Sequence, residues 1–292
     1  MIRDYILIIG SMKSGTTTLF DLLSAHPQVA PCRYKEPGFF AFDESWREGF
    51  GAYEQMFDFD PEQHVYGLDG STDYTKYPHC EGVAERLAAS APRRFKLIYV
   101  MRHPLRRIES HARHTQRTRR EIGQQISPRP DHSLDAGVSP VSMSAGSYAK
   151  QLDQFADAYA AGDLLLLSFE ELVEDQQAVL RRVYDFLELS DVEVERVHSN
   201  VAGGSKRPIA VWSALAQFKP FAAVTKMLVP KWLRRDLRAR LSYKPKIRGR
   251  FRLTEEESEQ LLEELRPDLE RLRDEYNFDT RCWALPTTKT LG

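Results

Sequence analysis

Residues Tyr5–Leu23 constrain the fold more than any other stretch of the chain. The apolar run Ile6–Ile9 is short enough for one buried strand and ends at Gly10. A loop of residues 11–15 follows, and from Thr16 the apolar residues return with helical spacing. Strand, glycine-containing loop and helix form an anion site, because the loop N–H groups and the positive end of the helix dipole point at one spot. We therefore predict an α/β fold that binds a phosphate at this loop.

The side chains of the loop are typical of a phosphate site. The candidate ligands are Lys13, Ser14, Gly15, Thr16, Thr17 and Thr18. The nearest general template is the Walker A loop, G-x-x-x-x-G-K-[ST], but Thr16 stands where its lysine belongs and Lys13 lies inside the loop. In nucleoside triphosphatases that lysine reaches the β- and γ-phosphates, and the next hydroxyl holds Mg²⁺. The displaced lysine therefore favours a shorter donor that binds without a metal.

Length and charge narrow the class of protein. With 292 residues, 42% of them hydrophobic, the chain can bury one large core, so we expect a single domain over residues 1–292. The 41 Lys and Arg residues nearly balance the 42 Asp and Glu residues, which argues against a dedicated nucleic-acid binder. Three widely spaced cysteines predict neither a disulfide framework nor a metal cluster and fit a reducing cytoplasm. Because the first apolar run is too short for a signal peptide or a bilayer span, we expect a cytoplasmic protein without an integral membrane segment.

A second strand, predicted at Lys96–Met101, ends in a cation. This run has no alternation of polar and apolar residues, which indicates a buried parallel strand. A Walker-type enzyme places an aspartate for Mg²⁺ at such a strand end, whereas here Arg102 follows, and a guanidinium binds an anion through two hydrogen bonds. Pro104 begins the next helix, which carries Ser110 about two turns in. Since the carboxyl ends of parallel strands meet at one edge of a sheet, the two strands fit a nucleotide with phosphates at both ends of its ribose.

A carboxylate occurs where the backbone is predicted to be irregular. Glu36 follows Lys35 and precedes Pro-Gly and the aromatic pair Phe39–Phe40, which must anchor this segment. Glu36 is a candidate general base, and a Lys–Glu pair in a surface turn explains it equally well. The hydroxyl-rich stretch 67–77 is predicted to be a loop at a strand end rather than core.

Five motifs in one order resemble the sulfotransferases that use 3′-phosphoadenosine 5′-phosphosulfate (PAPS). The 5′-phosphosulfate loop of that family resembles Lys13–Leu19, and its 3′-phosphate motif resembles the stretch from Arg102 to Ser110. The other three motifs are the G-x-Y-x-x-x-L pattern at 146–152, the strand and helix at Leu164–Leu189, and the basic glycine loop Gly203–Pro208. Their common order is much more specific than any single motif.

The resemblance implies a P-loop-like fold with a central, mostly parallel sheet flanked by helices. It also implies the transfer of a sulfuryl group from PAPS to an acceptor hydroxyl, which leaves the bisphosphate PAP and requires no metal. In this family resemblance, Lys13 stabilises the departing phosphate. The implied nucleotide-binding residues beyond the loop are Arg102, Ser110, Tyr148, Lys206 and Arg207.

Within the family, Glu36–Phe40 most resembles the heparan sulfate branch, in which a glutamate before a Phe-Phe pair is the catalytic base. This match implies that Glu36 removes the acceptor proton. That branch often carries a Glu-Lys-Thr/Ser-Pro-x-Tyr segment whose lysine assists transfer, but here Gly70 stands in the place of that lysine. Either Lys13 carries the charge alone or Lys35 helps. The acceptor, a carbohydrate or another small alcohol, can accordingly differ from a glycosaminoglycan.

Two further segments are interpreted from their composition. Residues 111–147 are basic at the front and rich in Pro, Ser and Gly behind, so they are predicted to form a flexible lid; a solvated charged run is the alternative. His111 and His114 in this segment are alternative bases. Residues 209–283 are predicted to form a helical C-terminal part, with Thr254 as the N-cap of an acidic helix.

Two other functions would also use a phosphate-binding loop. A P-loop kinase or GTPase would need a lysine after the second glycine, a strand-end aspartate and Mg²⁺. A non-catalytic nucleotide-binding protein would keep the phosphate contacts but lack a usable base.

Overall fold

The structure is a computed structural model that describes residues 1–121, 138–193, 207–208, 242–243 and 251–285. The contacts within the chain divide it into two compact units. The first contains residues 1–116, 127–199 and 251–292, and the second contains residues 117–126 and 200–250. The single-domain interpretation of residues 1–292 stays a prediction.

A five-stranded parallel sheet forms the centre of the first unit. Its strands are β1 (Asp4–Gly10), β2 (Val29–Pro31), β3 (Tyr66–Asp69), β4 (Arg94–Met101) and β5 (Leu164–Ser168). They lie in the order β2-β3-β1-β4-β5, and all neighbouring pairs are parallel. The chain changes direction across the sheet at β1, with β2 and β3 on one side and β4 and β5 on the other. Such a switch point is where open α/β sheets bind their ligands, and the predicted α/β class is confirmed.

Helices and 3₁₀ turns surround this sheet. The helices are α1 (Thr16–Ser24), α2 (Asp43–Arg47), α3 (Phe50–Glu54), α4 (Val83–Ala88), α5 (Pro104–Glu121), α6 (Pro140–Ser144), α7 (Tyr148–Leu152), α8 (Ala156–Ala160), α9 (Phe169–Glu174), α10 (Gln176–Leu187) and α11 (Glu255–Tyr276). The 3₁₀ turns are Thr72–Thr75, Asp153–Phe155 and Thr280–Trp283. No helix in this described part of the chain has both the length and the apolar character needed to cross a bilayer.

Both faces of the sheet are covered, which explains why the sequences of its strands are continuously apolar. Along β1, Tyr5, Leu7 and Ile9 pack into one core, whereas Ile6 and Ile8 pack into the other. The second core also takes the apolar faces of α1 and α10, and the first takes those of α7 and α11. Since successive strand side chains point to opposite faces, burial on both sides removes polar positions from the pattern.

Several predicted elements differ in the structure. The spacing of the aromatic residues Trp46, Phe50, Tyr53 and Phe57 predicts one helix over 44–59, but the structure has two short helices there, α2 and α3, separated at Gly49. The stretch 67–77, predicted to be a loop rather than core, contains β3 and a buried 3₁₀ turn. That prediction was wrong because the hydroxyl groups, which indicated a solvated loop, bond to a buried carboxylate.

The ends of the predicted lid are ordered. Its first part continues α5 to Glu121, and its last part contains α6 and the buried residue Ala145. Residues 122–137 lie outside the described residues, so the lid stays a prediction.

The predicted helical part at 209–283 contains the long helix α11 near its end, and as a whole it stays a prediction. Thr254 caps α11, because its hydroxyl accepts from Glu257 N–H at 3.2 Å and the Glu257 carboxylate accepts from Thr254 N–H at 2.8 Å. In the second unit, β6 (Arg207–Pro208) pairs antiparallel with β7 (Ser242–Tyr243), so a short strand lies where a helix was predicted. The remainder of residues 209–250 lies outside the described residues.

Candidate active site

The loop after β1 is fastened to the end of β4. The backbone N–H and the hydroxyl of Ser11 both donate to the Val100 carbonyl, at 2.7 and 3.1 Å. The hydroxyls of Ser11 and Ser14 lie 2.6 Å apart in a hydrogen bond, and both side chains are fully buried. The side chain of Ser14 therefore shapes the loop, and its role as a phosphate ligand stays a prediction.

Gly15 connects the loop to α1 in the left-handed conformation, with φ 83° and ψ 12°. A Cβ at this position would lie 2.6 Å from the ring of Phe169, so the close approach also requires glycine. The helix starts at Thr16 without a side-chain cap from Gly15, and uncapped first-turn N–H groups are the donors that bind anions. In this first turn Thr16 is buried, Thr17 is exposed and Thr18 is half-buried. The hydroxyl of Thr17 is therefore the most accessible of the three.

Arg102 lies against this loop, as the sequence predicts. Its Nη1 donates to the Lys13 carbonyl at 3.3 Å, and its guanidinium lies 4.4 Å above the centre of the Phe169 ring. The buried Nε of Arg102 has no hydrogen-bond partner among the described residues. Burial lowers the pKa of this guanidinium below its usual value, and the charge of Glu170 opposes that shift. Since arginine stays protonated in proteins, a cation with an unused donor lies beside the phosphate loop, which fits an anionic ligand.

Tyr148 supports Arg102. Tyr148 is fully buried, and its hydroxyl donates to the Arg102 carbonyl at 2.6 Å. Behind it, the fully buried Arg107 donates through Nη2 to the Ser142 carbonyl, and a Cβ on Gly146 would lie 2.9 Å from that Nη2. In this structure Tyr148 therefore positions the backbone of Arg102, and its predicted role in nucleotide binding stays a prediction.

The second turn of α5 carries Ser110 and His111. Ser110 is half-buried on this turn, and the adjacent His111 is 8% exposed. Burial, with smaller contributions from the charges of Arg107, His114 and Lys13, lowers the pKa of His111 from 6.5 to about 4. The role of Ser110 at the 3′-phosphate stays a prediction. Because His111 is neutral at pH 7, it can accept a proton, and it stays an alternative base.

Glu36 is connected to the phosphate loop through Lys35. The Lys35 ammonium donates to Glu36 Oε1 at 2.7 Å, to the Gly70 carbonyl at 3.0 Å and to Thr16 Oγ1 at 3.5 Å. Since Thr16 opens α1, this lysine links the candidate base to the anion site. The Glu36 side chain is 44% exposed, so an acceptor can reach it.

A buried carboxylate fixes the backbone that carries the candidate base. Asp69 Oδ1 accepts from the Ser71 N–H and hydroxyl at 2.9 and 2.6 Å, and Oδ2 accepts from the Tyr53 and Tyr74 hydroxyls at 2.9 and 2.6 Å. The Ser71 oxygen in turn accepts from the Gly38 N–H at 2.9 Å. Burial raises the pKa of Asp69 from 3.8 to about 6, although the hydrogen bonds lower it. This network holds the turn that follows the candidate base.

The described residues contain only part of the signature that a P-loop kinase or GTPase requires. Asp69 does end a strand beside β1, but four hydrogen bonds already occupy its two oxygens. Thr16, not lysine, follows Gly15. Within the described ranges, no three His, Cys, Asp or Glu side chains come together as a metal site. Arg102 and Lys35 are charged side chains that contact the loop and its helix.

The last two predicted ligands belong to the second unit. Lys206 lies outside the described residues, and Arg207 is the first residue of β6. Their role at the 3′-phosphate stays a prediction.

Two residues of the site, Phe169 and Asp69, could have been found from their places at strand ends in the sequence. Phe169 directly follows β5 and Asp69 ends β3, so both occupy the carboxyl edge of the sheet, where ligands bind. Lys35 was one of the two lysines offered from the sequence, but its contact with Thr16, 19 residues earlier in the chain, could not be predicted from spacing.

Comparisons with known proteins agree with these features. The family described as the sulfotransferase domain matches residues 3–208. Heparan sulfate glucosamine 3-O-sulfotransferase 3A1 of Mus musculus is 32% identical over 204 residues, which cover 65% of this chain and 47% of that protein. Heparan sulfate glucosamine 3-O-sulfotransferase 6 of Homo sapiens is 29% identical over 208 residues, which cover 65% of this chain and 54% of that protein. The chain spans about half the length of the curated relatives it matches.

A solved structure has the same fold. The sulfotransferase from Alicyclobacillus acidocaldarius superposes with a TM-score of 0.64 at 20% identity, over 98% of this chain and 100% of that one. The family match runs from β1 to β6, so it includes the phosphate loop, Glu36, Arg102 and Ser110. The chain therefore belongs to the sulfotransferase domain family.

Proposed function

We propose that this chain transfers a sulfuryl group from PAPS to a hydroxyl of a carbohydrate or another small alcohol. The observation that carries the proposal is the position of Arg102 at the end of β4, with Nη1 3.3 Å from the Lys13 carbonyl in the loop after β1. A loop that binds one phosphate, beside an arginine with an unused donor, fits a nucleotide with 5′ and 3′ phosphates. Membership of the sulfotransferase domain family supports PAPS as that nucleotide.

The residues of the loop act on the 5′ side of the donor. Lys13 and the first turn of α1 neutralise the charge that develops on the departing phosphate, where positioned donors lower the barrier most. The exposed hydroxyl of Thr17 adds a further donor. Arg102 and Ser110 hold the 3′-phosphate, which orients the 5′ end for in-line transfer. The donor supplies the sulfuryl group and leaves as PAP.

Glu36 acts as the general base. It takes the proton from the acceptor hydroxyl while the acceptor oxygen forms a bond to sulfur. The bond between sulfur and the 5′-phosphate oxygen breaks, and its electron pair leaves with PAP. General base catalysis of this kind contributes roughly 10²–10⁴-fold to the rate. Support comes from the exposure of Glu36 and from its connection through Lys35 to Thr16.

The acceptor is proposed to be a sugar that carries little negative charge. Relatives named for heparan sulfate glucosamine support a carbohydrate. A surface groove beside the Gly38 turn is lined by the 45% exposed Phe42, by three carboxylates (Asp43, Glu44 and Glu81), by His79 and by Arg86, which pairs with Asp43. The carboxylates therefore outnumber the one arginine of this lining. Carboxylates at a binding surface repel a polyanion. We therefore expect neutral or amine-bearing oligosaccharides to be better acceptors than a highly sulfated polymer.

The experiment is an acceptor screen with ³⁵S-labelled PAPS. The panel contains neutral and glucosamine-containing oligosaccharides, a sulfated heparan-type chain and small alcohols. We expect label on at least one sugar, and a loss of about 10²-fold or more in Glu36→Gln. Glu62→Gln, which changes another exposed carboxylate, should retain full activity. Full transfer by Glu36→Gln would refute the base, and an absence of transfer together with equal binding of PAP and AMP would refute the function.

A further inference from the structure

Lys35 makes contacts that join three separate segments of the chain. Its ammonium has three N–H donors, and three acceptors lie within 3.5 Å of it: Glu36 Oε1, the Gly70 carbonyl and Thr16 Oγ1. These acceptors belong to the irregular segment after β2, to the end of β3 and to the start of α1. A lysine with all its donors engaged in this way has a defined orientation, unlike a surface lysine that pairs with one carboxylate.

Residue 70 lies close to both Phe20 and Lys35. A Cβ on Gly70 would lie 2.9 Å from the Phe20 ring, 3.3 Å from the Lys35 carbonyl and 3.4 Å from Lys35 Cγ. The Phe20 ring and the Lys35 backbone therefore leave little room for a side chain at residue 70, and the Lys35 stem packs beside this glycine. The backbone fixes the same pair, because the Gly70 N–H donates to the Lys35 carbonyl at 2.9 Å. Residues 35 and 70 are thus held together by two hydrogen bonds.

The Lys35 ammonium lies between the candidate base and the anion site. Its shortest contact is the 2.7 Å ion pair with Glu36, and the Lys35 side chain is less exposed than that of its partner. The Thr16 contact places the same charge at the positive end of α1. A positive charge that is held against both groups can keep the carboxylate of Glu36 directed at the phosphate loop.

We propose that Lys35 is the positioning residue for Glu36. This inference rests on the proposed function, since it requires that Glu36 is the base. Lys35 holds the carboxylate in the geometry in which the acceptor hydroxyl meets the sulfuryl group. A misplacement of about 1 Å can cost about 10²-fold in rate, so loss of this contact should affect turnover more than nucleotide binding.

The alternative is a surface ion pair that stabilises the turn and nothing more. Such pairs contribute roughly 0–1 kcal/mol. Under that alternative, removal of the Lys35 charge would lower thermal stability slightly and leave turnover unchanged. Turnover, nucleotide affinity and thermal stability therefore have to be measured on the same variants.

The test compares Lys35→Met, which removes the charge but keeps the chain length, with Lys35→Arg, which keeps the charge. The matched control is Lys96→Met, because Lys96 is another partly buried lysine in one ion pair, with Asp163 at 2.8 Å. Turnover is followed with ³⁵S-labelled PAPS and the best sugar of the acceptor screen, and PAP affinity is measured by calorimetry. We expect Lys35→Met to lower kcat by about 10²-fold, with less than about a fivefold change in PAP affinity. Lys35→Arg should recover at least about tenfold of that loss, and Lys96→Met should match the parent protein.

A double variant separates a shared role from two independent ones. If Lys35 acts through Glu36, adding Lys35→Met to Glu36→Gln should lower kcat by no more than about threefold beyond Glu36→Gln alone. Multiplication of the two losses would overturn the inference, and so would a Lys35→Met protein with a kcat within threefold of the parent. Absence of transfer by the parent protein would overturn the proposed function as well. Transfer by the parent with an unaffected Lys35→Met overturns only the role of Lys35.

Discussion

Gly15→Ala should damage both stability and nucleotide binding, for two separable reasons. The first is the backbone, since φ at Gly15 is 83° and a left-handed residue with a Cβ costs roughly 1–2 kcal/mol. The second is the ring of Phe169, because the new Cβ would lie 2.6 and 2.9 Å from two of its carbons. Overpacking of this kind costs roughly 1–3 kcal/mol. The free energy of unfolding should therefore fall by roughly 2–5 kcal/mol in total.

The structure offers a control that isolates the backbone contribution. Gly82 also precedes a helix in the left-handed conformation, with φ 74° and ψ 11°, but the nearest neighbour of a Cβ there would be the Arg86 guanidinium at 3.7 Å. Gly82→Ala should therefore lose only roughly 1–2 kcal/mol. The difference between the two variants measures the overlap with Phe169.

The same pair of variants links the packing to function. Phe169 lies under the guanidinium of Arg102 at 4.4 Å, so displacement of the ring should disturb the predicted 3′-phosphate ligand. Urea unfolding gives the stability of each variant, and calorimetry with PAP gives the affinity of the folded protein. We expect PAP affinity to fall at least about tenfold in Gly15→Ala and to stay unchanged in Gly82→Ala. Equal stability losses in both variants, with unchanged PAP affinity, would refute this reasoning.

Three further predictions follow from the buried groups. Because the pKa of Asp69 is raised, the native state keeps a proton between pH 3.8 and about 6 that the unfolded state loses, so the free energy of unfolding falls as pH rises. Asp69→Asn should remove this fall of about 3 kcal/mol, measured by urea unfolding at pH 4–7. An unchanged dependence of stability on pH would contradict this prediction. The lowered pKa of His111 acts in the opposite direction, because the unfolded state binds a proton between pH 6.5 and about 4 that the native state does not. In His111→Gln, the free energy of unfolding should therefore no longer fall on acidification through this range. The same pH dependence in His111→Gln as in the parent protein would contradict the lowered pKa of His111. Tyr148→Phe removes the 2.6 Å hydrogen bond to the Arg102 carbonyl, so the affinity for PAP, measured by calorimetry, should fall severalfold. The free energy of unfolding should fall by about 1 kcal/mol. An affinity equal to that of the parent protein would refute the positioning role of Tyr148.

The sequence predicted the parts of the site that depend on local pattern. The loop after Gly10 and the cation after Met101 follow from a strand pattern that ends at a glycine or an arginine, and both strands occupy the centre of the sheet. The proximity of this loop and this arginine also follows from general rules, because the parallel strands of an α/β fold have their carboxyl ends at one edge of the sheet. Arg102 accordingly contacts the carbonyl of Lys13, as predicted.

The environment of a polar side chain could not be predicted, because it depends on which partner the side chain finds. Ser71 and Tyr74 indicated a loop at a strand end, but Asp69 accepts their hydroxyl groups inside the core. Tyr148 matched a ligand-binding motif, yet its hydroxyl bonds to the backbone of Arg102. In each case the hydrogen bond joins groups from a buried network, and sequence spacing alone does not determine whether a hydroxyl faces water, a ligand or the core.

Binding of PAP compared with AMP tests most directly whether two strand ends hold the two phosphates of one nucleotide. The two ligands differ only in the 3′-phosphate, so the affinity ratio reports the contribution of the site beside Arg102. Calorimetry at one fixed salt concentration should give PAP binding at least about tenfold tighter than AMP, because a charge-assisted hydrogen bond is worth about 1.5 kcal/mol or more. Arg102→Met should abolish that preference. Equal affinities of the unaltered protein for PAP and AMP would contradict a shared nucleotide between β1 and β4.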